Sequence, residues 1–146
     1  MIVYNIDSLK IGDYVNYTYD TAEAYTIEAK YSGYDSDQSV PQSTGLKWRI
    51  LNIDKTNGTV DIINKDKTST RVSFKGILGY NNGPYLMNEV CKAQYSNKTL
   101  GTYARSINLL DMEKHLTKEG ISARNDFMSN LYVQYGKTKT YTGSTI

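Results

Sequence analysis

A change of hydrophobic period near Gly76 constrains this 146-residue chain more than any other feature. Before it, apolar and aromatic residues tend to recur at every second position; beyond it they recur towards every 3.6. Strands first and helices afterwards is the order of an α+β domain with an antiparallel sheet, not the alternation that builds a parallel one.

In the N-terminal half, Ile11 to Tyr19 sets Val15, Tyr17 and Tyr19 in one phase, with the β-branched and aromatic residues that suit a strand. Tyr25 to Tyr31 reads as a second short strand, and Ser32 to Gly45, polar around Pro41, as a surface loop. The clearest pair is Lys47–Ile53 and Thr59–Ile63, joined by Asp54-Lys55-Thr56-Asn57-Gly58. Asn-Gly supplies positive φ at low steric cost, so residues 47–63 are expected to form a hairpin. A further strand is expected over Arg71 to Lys75.

The C-terminal half reads as two or three short helices. Gly79-Tyr80-Asn81-Asn82-Gly83 is read as a turn that leads into a helix at Pro84, whose missing N–H would be unsatisfied there anyway. Leu86, Met87, Val90, Cys91 and Gln94 then share one broad face, giving a helix over 84–95. Asn108 as N-cap, with Asp111 three residues later, opens a helix over 109–118 that ends at Lys118 and Gly120. A weaker candidate spans 122–132 with Phe127, Met128 and Leu131 inward. Residues 137–146 read as a tail that is cut short or pairs as a strand elsewhere.

At this length the chain reads as a single domain, 1–146, or as a fragment of a longer protein; a domain near this size removes roughly 68–70% of its unfolded surface from water. The 17 basic and 15 acidic residues are interspersed, so no basic block is present to neutralise a row of phosphates, and nucleic-acid binding is not expected. Cys91 is the single cysteine, so no intramolecular disulfide forms. No stretch approaches the roughly 20 apolar residues of a membrane span, and the first residues lack the basic start and apolar core of a secretory leader. Taken as complete, the sequence reads as cytoplasmic.

Chemistry-bearing residues are sparse. His115 is the only histidine, and pairing it with Cys91 would require the fold to bring two predicted helices together; Cys91 reads better as a small core residue and His115 as a surface one. Asp35-Ser36-Asp37-Gln38 is oxygen-rich, but without a well-placed glycine or a later Glu it reads as an Asx-type turn and not as a calcium loop. Gly79–Gly83 lacks the Gly-Lys-Ser/Thr step of a nucleotide loop. No catalytic residue, cofactor or metal is therefore expected. Arg105 and Trp48 are read as structural ties, the guanidinium through its five donors, with an anion site as the alternative for Arg105. Fourteen tyrosines suggest a binding surface, since tyrosine offers a large rigid face with a polar rim; the candidates are Tyr14, Tyr17, Tyr19, Tyr31 and Tyr34.

From Ile11 onward, the motifs Lys47-Trp48-Arg49-Ile50-Leu51, Gly79 to Pro84, Leu86-Met87-Asn88, Cys91, Tyr95-Ser96-Asn97 and Ala104-Arg105-Ser106-Ile107 stand in a distinctive order. In this the chain resembles the N-terminal part of a group of surface proteins from Firmicutes and their prophages. Many members carry a pilin-like or secretory leader, and a C-type-lectin-like region often follows; neither is in this sequence. The resemblance implies display at the virion or cell surface and carries over no catalytic residue. The expected role is a non-enzymatic interaction module that binds a protein partner or its own copies. The alternative is a free-standing intracellular protein of a mobile element that binds and modulates a host or competitor protein.

Overall fold

The computed structural model describes residues 5–21 and 24–135, with side chains as far as residue 126. It divides into two compact units, Met1–Ser106 and Ile107–Ile146. In chain order the first holds β1 (Tyr14–Val15), β2 (Ala24–Ile27), α1 (Ala29–Ser32), β3 (Gln38–Pro41), β4 (Trp48–Asp54), β5 (Thr59–Asn64) and α2 (Gly76–Tyr95); the second holds α3 (Leu109–Lys114) and α4 (Lys118–Tyr135). The fold class is α+β, with antiparallel sheets in the N-terminal half followed by helices.

The hairpin expected over 47–63 is β4–β5. Its turn uses the expected chemistry: Gly58 has φ of +66°, and the Asp54 carboxylate accepts from Thr56 N, Asn57 N and Asn57 Nδ2 at 3.0, 3.1 and 2.7 Å. The Asn57 side-chain amide, first among these bonds, holds the Asp54 carboxyl below its usual value. The ladder runs Trp48↔Asn64 and Ile50↔Ile62, then Asn52↔Asp61 and Ile53↔Val60, which leaves Leu51 as the extra residue of a bulge. That slip keeps Trp48, Ile50 and Ile53 on one face of the sheet; in unbroken register Ile53 would turn to the other.

β1 completes this sheet as an edge strand only two residues long, pairing Tyr14 with Arg49 and Val15 with Trp48. The longer strand expected over Ile11–Tyr19 thus stops at Val15. Its alternation still holds, because Val15, Tyr17 and Tyr19 are half-buried while Asn16, Thr18 and Asp20 are exposed.

The second sheet pairs β2 with β3 and corrects two expectations. The strand expected over Tyr25–Tyr31 ends at Ile27, where one turn of helix takes over: Asp37 Oδ1 accepts the Ala29 N–H at 2.7 Å, and Gly33, at φ +68°, closes the turn. The expected loop over Ser32–Gly45 contains β3. Gln38 and Ser39 carry little strand propensity, but Val40 reaches the core and the β2 ladder fixes its neighbours. The strand expected over Arg71–Lys75 forms no ladder. The Gln38 side chain stands in for a neighbouring strand, with Nε2 donating to Ser73 O and Oε1 accepting from Ser73 N, both at 2.8 Å.

The largest correction concerns α2. It starts at Gly76, well before Pro84, and Gly79–Gly83 is helix, not a turn. A Cβ on Gly79 would lie 2.7 Å from Ser32 O and 2.8 Å from Phe74 Cβ, so this glycine lets the helix approach the chain beside it. Gly33 is equally confined, since its Cβ would meet Lys75 O at 2.1 Å. Pro84 deprives the Tyr80 carbonyl of its helical donor, and the packing of the buried face offsets that loss. Leu86 and Val90 of α2 form the core with Ile27 and Val40, and Tyr25, Val72 and Phe74 pack against it.

In the second unit, α3 opens as expected: Asn108 accepts from Asp111 N and Asp111 from Asn108 N, a complete capping box. It ends at Lys114, before the expected 118, and α4 begins at Lys118. Gly120 is not a stop; it lies in the first turn of α4, donating its N–H to Thr117 Oγ1 at 3.1 Å. The helix expected over 122–132 is the middle of α4. The inward face expected from Phe127, Met128 and Leu131 lies outside the described side chains, and the tail 137–146 outside the described residues.

Gly79→Ala is expected to destabilise the protein by about 1–3 kcal/mol through overpacking. Gly83→Ala should cost less than about 0.5 kcal/mol or stabilise: its Cβ would sit 3.9 Å from the Phe74 ring, an ordinary contact, and alanine favours helix. Urea unfolding of the two variants checks the contrast.

Candidate functional site

Four aromatic rings meet where α2 ends. Tyr17 stands edge-on to Trp48 (5.1 Å between centroids, 80°), Tyr19 edge-on to Tyr95 (5.4 Å, 89°), and Trp48 lies 6.5 Å from Tyr95. Their hydroxyls are used inside the fold. Tyr17 Oη donates to Tyr95 O at 2.7 Å, Tyr19 Oη donates to Ser43 O at 3.1 Å, and Tyr95 Oη accepts from Ser43 N at 2.9 Å. Burial, and secondly the Asp20 carboxylate, push the Tyr17 hydroxyl above its ordinary pKa; burial, then Tyr95, does the same for Tyr19. Trp48 Nε1 is buried and has no hydrogen-bond partner among the described residues.

The five candidate tyrosines therefore separate by position. Tyr17 and Tyr19 belong to this seam. Tyr14 is 57% exposed on the sheet face opposite Trp48, in a row with Arg49 and Ile63, its ring 5.2 Å from the Arg49 guanidinium. Arg49 Nε in turn donates to Gly12 O at 2.7 Å. Tyr31 and Tyr34 are exposed on either side of Gly33, with the Lys30 ammonium 4.8 Å from the Tyr31 ring.

Tyr31 and Tyr34 adjoin a surface that sequence reasoning missed. Asn82 Nδ2 donates to Tyr31 O at 2.9 Å, and Leu78 Cβ lies 3.4 Å from where a Gly33 Cβ would be. Around the first half of α2 the side chains of Ile77 (79% exposed), Leu78, Tyr80 (85%) and Tyr85 all face solvent. The signal was present in the residue types but not legible as a face, because a helix beginning at Pro84 contains only one of these four residues. Isolated exposed apolar residues are ordinary; here four lie around the first half of one helix, near two exposed tyrosines.

Arg105 is exposed and donates through Nη1 to Ser106 O at 3.2 Å. The segment around it is also tied by neutral side chains: Ser96 Oγ accepts from Ala104 N and Asn88 Oδ1 from Ser106 N, each at 3.0 Å. Asn97, buried, donates to Thr18 O and accepts from Leu100 N, both at 2.8 Å.

Cys91 is half-buried on α2, where burial raises its thiol pKa, and His115 caps α3 in the second unit. Asp37 caps α1, and Asp35 forms an exposed ion pair with Lys75 at 2.8 Å. No cluster of three or more His, Cys, Asp or Glu with metal-site geometry occurs among the described residues. An open depression of about 400 Å³ is lined by Asp20, Thr21, Glu89, Lys92, Ala93 and Lys98. Asp20 at its rim accepts from Lys98 N at 3.0 Å and from Thr99 N and Oγ1 at 3.4 and 3.2 Å. No helix of the described residues is long and apolar enough to cross a membrane.

Comparison of the chain with protein-family models, with curated proteins and with solved structures gives no match.

Trp48→Ala is expected to lower stability by about 3 kcal/mol, the low end for a large aromatic because the ring is only half-buried. Chemical denaturation measures it, and a change near zero would show that the seam contributes nothing. The bonds to Asp20, that of Lys98 N–H first, lower its carboxyl below the ordinary 3.8. A carboxyl lowered in the folded state stabilises fully above its ordinary pKa and ceases to do so as pH falls through the lowered folded value. Asp20→Asn should therefore melt below the wild type at pH 7, and the gap should close as pH falls beneath 3.8. A gap independent of pH would show that the Asp20 charge plays no part.

Proposed function

We propose that this chain is a non-enzymatic interaction module of a bacterial surface or phage structural protein, and that it grips a protein partner through the exposed face formed by α1 and the first half of α2. One observation carries the binding part of this reading: Ile77, Leu78, Tyr80 and Tyr85 face solvent on a helix that is locked in place, beside Tyr31 and Tyr34. Gly33 and Gly79 admit no added carbon, so α1 and α2 present these side chains from a rigid base. Rigid aromatic anchors lose little entropy on binding, and the exposed Asn81 adds hydrogen-bonding capacity beside them. The display part rests on the order of motifs in which the chain resembles Firmicutes and prophage surface proteins. The partner suited to such a face is a protein surface that offers an apolar patch ringed by carbonyl acceptors for tyrosine hydroxyls.

A photo-crosslinking amino acid at position 80 or 31, with a third at Lys55 in the β4–β5 turn, tests the assignment on the producing cells and their envelope or virion fraction. One adduct shared by positions 80 and 31, missing from position 55 and abolished by Ile77→Asp, is the expected result. Adducts of equal yield from all three positions, or none from 80 and 31, would refute the assignment.

A further inference from the structure

β5 is the outermost strand of its sheet, and its outer edge pairs with no strand among the described residues. Edges of this kind are usually blunted by proline, by lysine, by a bulge or by short length. Thr59-Val60-Asp61-Ile62-Ile63-Asn64 has no proline or lysine, and the bulge of the hairpin falls in β4; its one charged side chain is Asp61, which accepts from Asn52 Nδ2 at 3.2 Å. The direction of its backbone groups can be read from the ladder. Lys65 donates its N–H to Lys47 O at 2.7 Å, towards β4. Residues of the same parity, Ile63 among them, therefore bond inward, while Ile62 and Asn64 turn N–H and C=O outward.

We propose that this edge pairs with β5 of a second copy of the chain, antiparallel about a two-fold axis, so that the two three-stranded sheets become one. A two-fold antiparallel pairing of identical edges must centre on a residue, because outward groups must meet outward groups. Centred on Asp61, it sets two carboxylates directly opposite, which is unfavourable. Centred on Ile62, it leaves each Asp61 opposite Ile63. Centred on Ile63, it places Asp61 of each copy opposite Lys65 of the other, twice, on one sheet face. These are non-hydrogen-bonded pairs, where side chains come closest, while Ile62 and Asn64 exchange the ladder bonds. This self-complementary charge pattern selects both the register and the occupant. The inference does not depend on the α1–α2 face, and the two can fail separately.

Sedimentation velocity of the full chain over a range of concentrations is the test. The wild type should dimerise, and Ile62→Pro should be monomeric and still folded, with a lower melting temperature: the N–H it removes points away from β4, but its side chain stands opposite the buried Ile50. Asp61→Lys and Lys65→Asp should each weaken the dimer about tenfold or more, since each replaces two opposite-charge pairs by like-charge ones, and the double exchange should restore it. Should Ile62→Pro fail to fold, the charge exchange decides alone. A wild type that stays monomeric throughout, or a dimer whose strength the single and double charge exchanges leave unchanged, overturns the proposal.

Discussion

Much of the first unit depends on two consecutive residues at the end of α2. Gln94 Nε2 donates to Val40 O at 2.5 Å, and the Gln94 carbonyl accepts from Gln42 Nε2. Tyr95 gives its carbonyl to Tyr17, its hydroxyl to Ser43 N and its ring to Tyr19 and Trp48. The β2–β3 sheet already packs on α2 through Ile27, Val40, Leu86 and Val90. The β1–β4–β5 sheet reaches the same helix through Trp48. Both sheets are thus referenced to one helix end, the β2–β3 sheet through the buried Gln94 hydrogen bond and the β1–β4–β5 sheet through the contact of the Trp48 and Tyr95 rings.

What could be read from the sequence was local. The β4–β5 hairpin was legible because Asn57-Gly58 and the strands beside it carry their signals within a few residues, and the α3 cap because Asn108 and Asp111 satisfy each other. What escaped was set by distant neighbours. Asp37 caps α1 from across a loop, Gln38 replaces a strand for Ser73, and Gly79 is required by the backbone of Ser32 and by Phe74. Gly79-Tyr80-Asn81-Asn82-Gly83-Pro84 has the residue types of a turn, so local propensity pointed one way and close packing prevailed.

The same distinction governs the tyrosines. Their number indicated a surface, yet whether one is an anchor or a brick depends on contacts that no local pattern encodes. Tyr17 and Tyr19 share the period-two phase of Val15 and lie in the seam, while Tyr14, one residue out of that phase, is exposed. Tyr80 and Tyr85 became visible as part of a face only once the helix was seen to begin at Gly76.

Trp48 is the chain's single tryptophan, and its indole sits 5.1 Å from one tyrosine ring and 6.5 Å from another. Its N–H is shielded and unpaired among the described residues. The molecule thereby contains one indole, whose emission is expected towards the blue and fed by excitation of adjacent phenols. Because that indole sits where both sheets meet the helix, its colour reports on the junction directly, without an added label.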